Sequence, residues 1–336
     1  MKPFQELTRT AQFRRLAPLA RRALLDYDLG EVSLSPLQHI QNATWRVQCR
    51  DGQRYVLRIH TPRRHDTAAI RSELIWLEAL SAEDGFVVPS PVRTRGHGLW
   101  TTVSTEDVPE PRVCTLLHWV PGRFARKKRT PTILREMGRL MARLHQYASR
   151  YRIPKAFVRP RWDHNGLFGR DAQTQVGWTR LTRRQNRLFE TVAERLREIV
   201  ERLGTGRDVF GLIHADLIFC NVIFHRGEAR PIDFDDCGFG YFLYDMAILL
   251  DRIEMREDYP ALRAALLEGY RQIRPLAEEH EACLDLFVLA RWVFLGVCFL
   301  SRMEFRDYAP RFVKIVEPKI ERCLRESKGH FDRQRK

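Results

Sequence analysis

Three side chains in a largely apolar tract carry the chemistry. The stretch HADLIFCNVIF sets Asp216 and Asn221 five residues apart, and PIDFDD places Asp233 twelve residues after the asparagine. Such side chains cost free energy to bury unless a partner or ligand satisfies them. Arg226-Gly227 separates two short apolar runs, so the spacing predicts a hairpin that returns the chain from Asn221 to Asp233 and lets both emerge at one end of paired strands. Two oxygen donors held this way suit Mg²⁺, a hard cation that keeps waters and takes its remaining oxygens from substrate phosphates. Asp216 is then within reach of the same spot. A carboxylate beside such a pair is what phosphoryl transfer needs: positioning, charge neutralisation and one base to orient the acceptor hydroxyl.

The order of a base aspartate, an asparagine five residues on and a later metal aspartate is the kinase pattern. His214-Ala215-Asp216, Ile232-Asp233-Phe234-Asp235-Asp236 and Tyr244-Asp245-Met246-Ala247 together resemble the aminoglycoside phosphotransferase and choline kinase family of the protein-kinase-like superfamily, with its homoserine-kinase-like and stress-response-kinase-like branches. The resemblance implies an α+β, bilobal protein-kinase-like fold. Residues 1–117 would form a small N-lobe of antiparallel sheet plus helix, 118–123 a hinge, and 124–336 a larger, mainly helical C-lobe. It implies Asp216 as base and Asn221 and Asp233 as metal ligands. Arg58 in YVLRIH would grip phosphates and pair with Glu73 in IRSELIWLEAL. Asn42 would sit in the nucleotide-covering hairpin, and backbone groups around His118 to Val120 would hold the adenine. Mg²⁺ as cofactor and ATP or GTP as co-substrate follow. The sequence departs from the family in three places. Leu37 to Val47 contains no glycine, Arg58 replaces the usual lysine, and Leu217 to Cys220 lack the polar residues common in that loop. Arginine binds phosphate bidentately, so activity is expected to be retained.

The elements that must hold these residues follow from periodicity. A helix is expected over Leu16 to Tyr27, then strands over Val32 to Arg50 and Gln53 to His60 around an Asp51-Gly52 turn, a helix over Thr67 to Leu80, and strands near Leu99 to Val103 and Arg112 to Val120. Pro121-Gly122 closes this part, and a helix starts at Thr130-Pro131. Residues 150–180, polar and weakly periodic, read as an irregular insertion. Further helices are expected over Leu181 to Leu203, Tyr241 to Leu250, Tyr259 to Tyr270, Ala282 to Arg302 and Pro310 to Arg325.

Bulk properties narrow the partners. The chain of 336 residues is 44% hydrophobic, enough for a real core, and Lys plus Arg exceed Asp plus Glu by 57 to 42. The basic clusters at Arg14 to Arg22, Arg123 to Arg129 and Arg180 to Arg187 are interleaved with apolar residues, so solvated faces account for them, and no nucleic-acid module spacing appears. Seven scattered cysteines without a CxxC pair suggest neither a zinc site nor a disulfide framework and fit a reduced, cytoplasmic compartment. Leu284 to Leu300 is the most apolar stretch, but Arg291 near its centre makes it a buried core helix, and no membrane partner is expected. Nothing in the sequence sets the oligomeric state.

Other polar residues have structural readings. His214 is expected to buttress the catalytic loop, and Asp245 to hold that loop's backbone. Asp235 and Asp236 suit either a salt bridge to arginines or a second cation. Arg291 needs a partner, first a structural carboxylate and second an anionic group of the acceptor. Trp292, Phe294 and Phe299 read as core, and Cys220 as an inert buried thiol. The sequence therefore points to a phosphotransferase acting on a hydroxyl of a small molecule: an aminoglycoside, amino alcohol, amino acid or sugar. A Ser/Thr protein kinase with a protein substrate, and a kinase-shaped protein that binds nucleotide or polyanion without turnover, remain as alternatives. Asp235, Asp236, Asp251 and Glu254 would suit a polycationic acceptor, whereas arginines would suit an amino acid or sugar.

Overall fold

The computed structural model describes residues 3–39, 41–62, 64–125, 129–169 and 174–331. In chain order it contains α1 (Arg9–Leu24), β1 (Val32–His39), β2 (Ala43–Cys49), β3 (Arg54–Ile59), α2 (Thr67–Ala82), β4 (Thr101–Thr105), β5 (Val108–His118), β6 (Arg123–Phe124) and α3 (Pro131–Arg150). There follow β7 (Arg161–Trp162), α4 (His164–Phe168), α5 (Gln175–Thr179), α6 (Arg183–Leu203), β8 (Phe210–Ile213), β9 (Val222–His225), β10 (Glu228–Pro231) and β11 (Gly238–Tyr241). The chain ends with α7 (Phe242–Asp251), α8 (Tyr259–Arg271), α9 (Glu278–Ala282), α10 (Leu284–Ser301) and α11 (Ala309–Phe331). The α+β class is as expected.

The chain divides into two compact units. The first joins Met1–Phe124 with Ile153–Arg159 and Ile223–Asp235; the second holds Ala125–Arg152, Pro160–Val222 and Asp236–Lys336. The first is built on a five-stranded sheet of order β1-β2-β3-β5-β4, antiparallel throughout. Asp51-Gly52 makes the expected β2–β3 turn: Gly52 takes φ +90, and Gln53 N–H donates to Asp51 Oδ1 at 2.9 Å. Strand alternation decides the faces of β3. Leu57 and Ile59 join Leu16, Leu19, Ala23, Trp45 and Leu116 in a core against α1. Arg58, between them in sequence, takes the other face, toward α2. Asp66 caps α2 by accepting from Ala69 N–H at 2.7 Å, and Ile70, Glu73, Leu74 and Leu77 form its buried stripe.

The expected hairpin is present: β9 and β10 are neighbours, β6 lies on the far side of β9, and Arg226 and Gly227 both take positive φ, as a two-residue primed turn requires. Gly122 is forced, because a side chain there would reach within 2.6 Å of Phe224 O.

In the second unit α3 starts behind the Thr130 cap and Pro131, as expected. Glycines let it approach α8 closely: a Cβ on Gly138 would lie 2.9 Å from Tyr270 N, and one on Gly269 would strike the Arg135 backbone. The apolar α10 packs on α7, α5 and α6 and is mostly buried, so it is a core helix of this unit.

The 150–180 segment is largely irregular, as expected, but it contributes short elements. It carries β7, which pairs with β11, and the short helices α4 and α5, while residues 170–173 lie outside the described residues, as do 126–128 of the Arg123 to Arg129 cluster. Elements this short carry too few residues to develop a period. Its residue Arg159 is buried, and donates to Ala69 O (3.1 Å) and Asp235 O (2.6 Å) within the first unit.

His60, just after β3, is buried with Nε2 3.2 Å from Thr115 Oγ1. Burial and the neighbouring charge of Arg58 push its pKa from 6.5 down to about 3, so it is neutral in the folded protein. A depressed folded pKa contributes stability that is complete above the ordinary histidine value and is lost as pH falls from there toward the folded value. The expected outcome is that His60→Gln is less stable than wild type at pH 8, yet loses about 2 kcal/mol less than wild type between pH 6.5 and 4.5 in urea unfolding. Parallel acid limbs would refute a buried neutral His60.

Candidate active site

In the first unit a charged network surrounds Arg58. The guanidinium is buried, with Nη2 2.7 Å from Glu73 Oε1 and Nη1 3.4 Å from Asp235 Oδ1. Arg64 Nε sits 2.6 Å from Asp235 Oδ2, and His65 Nε2 stands at ion-pair distance, 3.7 Å. Burial alone would lower the arginine pKa, but Glu73, Asp235 and Asp233 outweigh it and raise it. Burial likewise opposes the charged form of Asp235, yet His65, Arg58 and Arg64 hold its carboxyl well below the usual carboxylate range. The salt-bridge reading of Asp235 is therefore the observed one. Asp233 lies two residues beyond β10, exposed and with φ +62, a left-handed conformation that is rare outside glycine. Asn42 is buried, and its Oδ1 accepts from Thr61 N–H at 3.1 Å, tying the β1–β2 turn to the end of β3. His118 ends β5 with its N–H donated to Ser90 O at 2.8 Å, and the side chain of Val120 is buried.

In the second unit the loop at 214–221 hangs on Asp245. This residue lies in the first turn of α7, fully buried. Its Oδ1 accepts from Ala215 N–H at 2.8 Å and its Oδ2 from His214 N–H at 3.0 Å. His145 Nε2 is 3.2 Å from the same Oδ2, His145 Nδ1 is 3.0 Å from the Tyr270 hydroxyl, and the imidazole stacks on Phe242 at 4.4 Å. Burial would raise the Asp245 pKa; His145, then the ring and amide of His214, more than offset it and leave the carboxyl below its ordinary value. Ala215 takes φ +62, a strained conformation that the paired loop amides hold in place. His214 is buried and its Nδ1 accepts from Asp216 N–H at 3.4 Å, which fits a buttress. Asn221 Nδ2 donates to Asp216 Oδ2 at 2.7 Å and to Asp216 O at 2.9 Å, so the two polar residues of the opening tract hold each other.

The structure thus brings Arg58 to Glu73 and Asp216 to Asn221, each pair inside its own unit. Two other expectations are corrected. Arg291 finds no carboxylate among the described residues; its hydrogen bond goes to the Tyr244 hydroxyl at 3.1 Å. Cys220 is exposed, because the 3₁₀ turn Phe219–Asn221 points Asn221 inward and its neighbour out. Of the four carboxylates suggested for a polycationic acceptor, Asp251 accepts from Trp292 Nε1 at 2.6 Å, Glu254 pairs with Lys319 at 2.6 Å and Asp235 is held by Arg58 and Arg64. Sequence reasoning missed Arg64, Arg159 and His145. His145 was findable: it lies four residues after Met141, on the buried stripe of α3.

A buried arginine braced by a helix glutamate, and a loop pinned by a buried aspartate, belong in this chain to a small-molecule kinase, a phosphotransferase whose acceptor is an alcohol group. The chain belongs to the phosphotransferase enzyme family, whose model matches residues 33–283. It is 28% identical over 313 residues to a homoserine kinase of Phenylobacterium zucineum, covering 89% of this chain and 88% of that one. The solved structure of a microcompartment-associated aminopropanol kinase matches with a TM-score of 0.78 and 29% identity, covering 92% of this chain and 98% of the other. An amicoumacin kinase solved with AMP-PNP, Ca²⁺ and Ami matches with a TM-score of 0.76, covering 93% and 96%; at 22% identity it speaks for the fold alone.

Replacing Asp245 by Asn removes the charge that two loop amides share and presents an NH₂ group to one donor. Asp245→Asn is expected to cost about 2–4 kcal/mol in chemical denaturation and to lower turnover at least ~10-fold. Wild-type stability with wild-type turnover would show that the loop does not depend on this anchor.

Proposed function

We propose that the protein transfers the γ-phosphoryl group of ATP or GTP to a hydroxyl of a small-molecule acceptor, with Asp216 as the base. The observation that carries this is the Asp216–Asn221 contact at 2.7 Å on a loop whose preceding amides are tied to Asp245. It fixes one carboxylate oxygen of Asp216, the orientation a group needs in order to take a hydroxyl proton in the transition state. Asn221 and Asp233 are proposed as the ligands of Mg²⁺. The donor set fits by its chemistry: with its NH₂ spent on Asp216, Asn221 offers Oδ1, and Asp233, two residues after β10, offers an exposed carboxylate, two hard oxygen donors. When bound, the ion would neutralise charge on the nucleotide phosphates.

Arg58 would grip those phosphates, kept charged and in place by Glu73 and Asp235. Asn42 would contribute to the nucleotide-covering hairpin, and the backbone at His118 and Val120 to adenine binding, with 1–117 acting as N-lobe, 118–123 as hinge and 124–336 as C-lobe. The aminopropanol and homoserine kinases among the similar proteins support a small amino-bearing acceptor. Seven free cysteines support a reduced, cytoplasmic setting.

The test is Mg²⁺-dependent ADP release over a panel of amino alcohols, hydroxy amino acids, sugars and aminoglycosides. Asp216→Asn should lower acceptor-stimulated turnover by about 10²–10⁴-fold, and Arg58→Met should raise the KM for nucleotide. Acceptor-stimulated turnover that survives Asp216→Asn overturns the assignment of the base.

A further inference from the structure

Arg291 is a buried cation with no carboxylate at ion-pair distance among the described residues. It lies in the middle of α10, 6% exposed. Nη1 donates to the Tyr244 hydroxyl at 3.1 Å, and the guanidinium lies 5.9 and 5.7 Å from the ring centroids of Tyr244 and Phe294. Its Nε is buried and meets no hydrogen-bond acceptor. Among the described residues no carboxylate comes within ion-pair distance, and Asp251 on α7 is engaged by Trp292. Tyr244 cannot supply the missing charge, because burial pushes its pKa up to about 12 and keeps the phenol neutral. Desolvating a guanidinium costs several kcal/mol unless an anion answers it; here the carboxylates of Asp251 and Asp216 act only from beyond ion-pair distance, and the direct partner is a neutral hydroxyl. Burial alone would lower the pKa of Arg291, but the Tyr244 hydroxyl, Asp251 and Asp216 outweigh it and keep the guanidinium charged, which ties it electrostatically to the residue proposed as the base.

We infer that Arg291, with Tyr244 as its brace, binds the carboxylate of the acceptor, so that the substrate is an alcohol carrying a carboxylate, of the hydroxy amino acid class. This rests on the reading of Asp216 as the base, and it selects one class from those left open. A guanidinium fork matches a planar carboxylate bidentately. One buried unit charge balances a carboxylate but only half of a phosphate dianion. A polycationic acceptor would meet like charge at this point, and a plain amino alcohol would leave the guanidinium unanswered.

The experiment uses the full chain and acceptor pairs that differ only in the carboxylate: serine against ethanolamine, and homoserine against 3-aminopropan-1-ol, with kanamycin as the polycation. ADP release and ligand-induced thermal shift are both read. For wild type, the acids should exceed their decarboxylated partners by about 100-fold in kcat/KM, and only the acids should shift the melting temperature. Arg291→Met should lose most of that preference, chiefly through KM for the acid; Arg291→Lys, which keeps the charge but not the fork, should lose part of it. Equal or better use of the decarboxylated partners by wild type overturns the inference while leaving the kinase reading intact, as does an equal loss on both members of a pair in Arg291→Lys. Should Arg291→Met not fold, the wild-type thermal shifts and Arg291→Lys decide the matter. Turnover that persists in Asp216→Asn overturns the underlying reading instead.

Discussion

The two oxygens of Asp245 are the constraint on which the loop at 214–221 depends. A buried carboxylate is costly unless its lone pairs are filled, and here they are filled by the amides of His214 and Ala215 together with His145. The arrangement is reciprocal. The loop satisfies the aspartate, and the aspartate holds Ala215 in a left-handed conformation that an alanine would not keep by itself. Asp216 follows directly, so its direction is inherited from an anchor in the helix core. His145 and Tyr270 extend the anchor into α3 and α8, whose close approach the glycines 138 and 269 permit.

The first unit solves a different electrostatic problem. Arg58 must carry a full charge on the inner side of a sheet, and it does so because Glu73 and Asp235 face it from two separate stretches of chain. Asp235 in turn is shared with Arg64 and approached by His65. A buried cluster of this kind adds little net stability compared with an apolar core of the same volume, but it presets the position of a cation. Arg159 adds to it from below by gathering the carbonyls of Ala69 and Asp235. Neutral His60 alongside is the cost of packing an imidazole next to these guanidiniums.

Set beside Arg58, Arg291 is the informative contrast. Both guanidiniums are buried, yet one has two carboxylates at close range and the other a phenol and two aromatic faces. The first is a finished structural element that also faces nucleotide chemistry in the proposed function; the second is incomplete as a structural element. Asp251 and Glu254, meanwhile, are engaged with Trp292 and Lys319, which weakens the case for a polycation pocket.

The sequence by itself determined the elements and the local pairs. Periodicity of 2 and 3.6 marks which faces are apolar, turn residues such as Asp51-Gly52 and Arg226-Gly227 set hairpins through their own backbone preferences, and the five-residue step from Asp216 to Asn221 is short enough for one turn of chain to close. Asp245 as the loop's anchor and Arg58 with Glu73 were legible because their neighbours in sequence already carried the kinase pattern. What the tertiary structure alone decided are contacts between residues that no local rule relates. Arg159 reaches Asp235 across 76 positions and His145 reaches Asp245 across 100. Arg291 was expected to meet a carboxylate and met Tyr244, 47 positions away, because its partner depends on which helix face lies opposite α10. Charge and burial can be foreseen along a chain; the identity of the group that answers a buried charge is set only when distant elements pack.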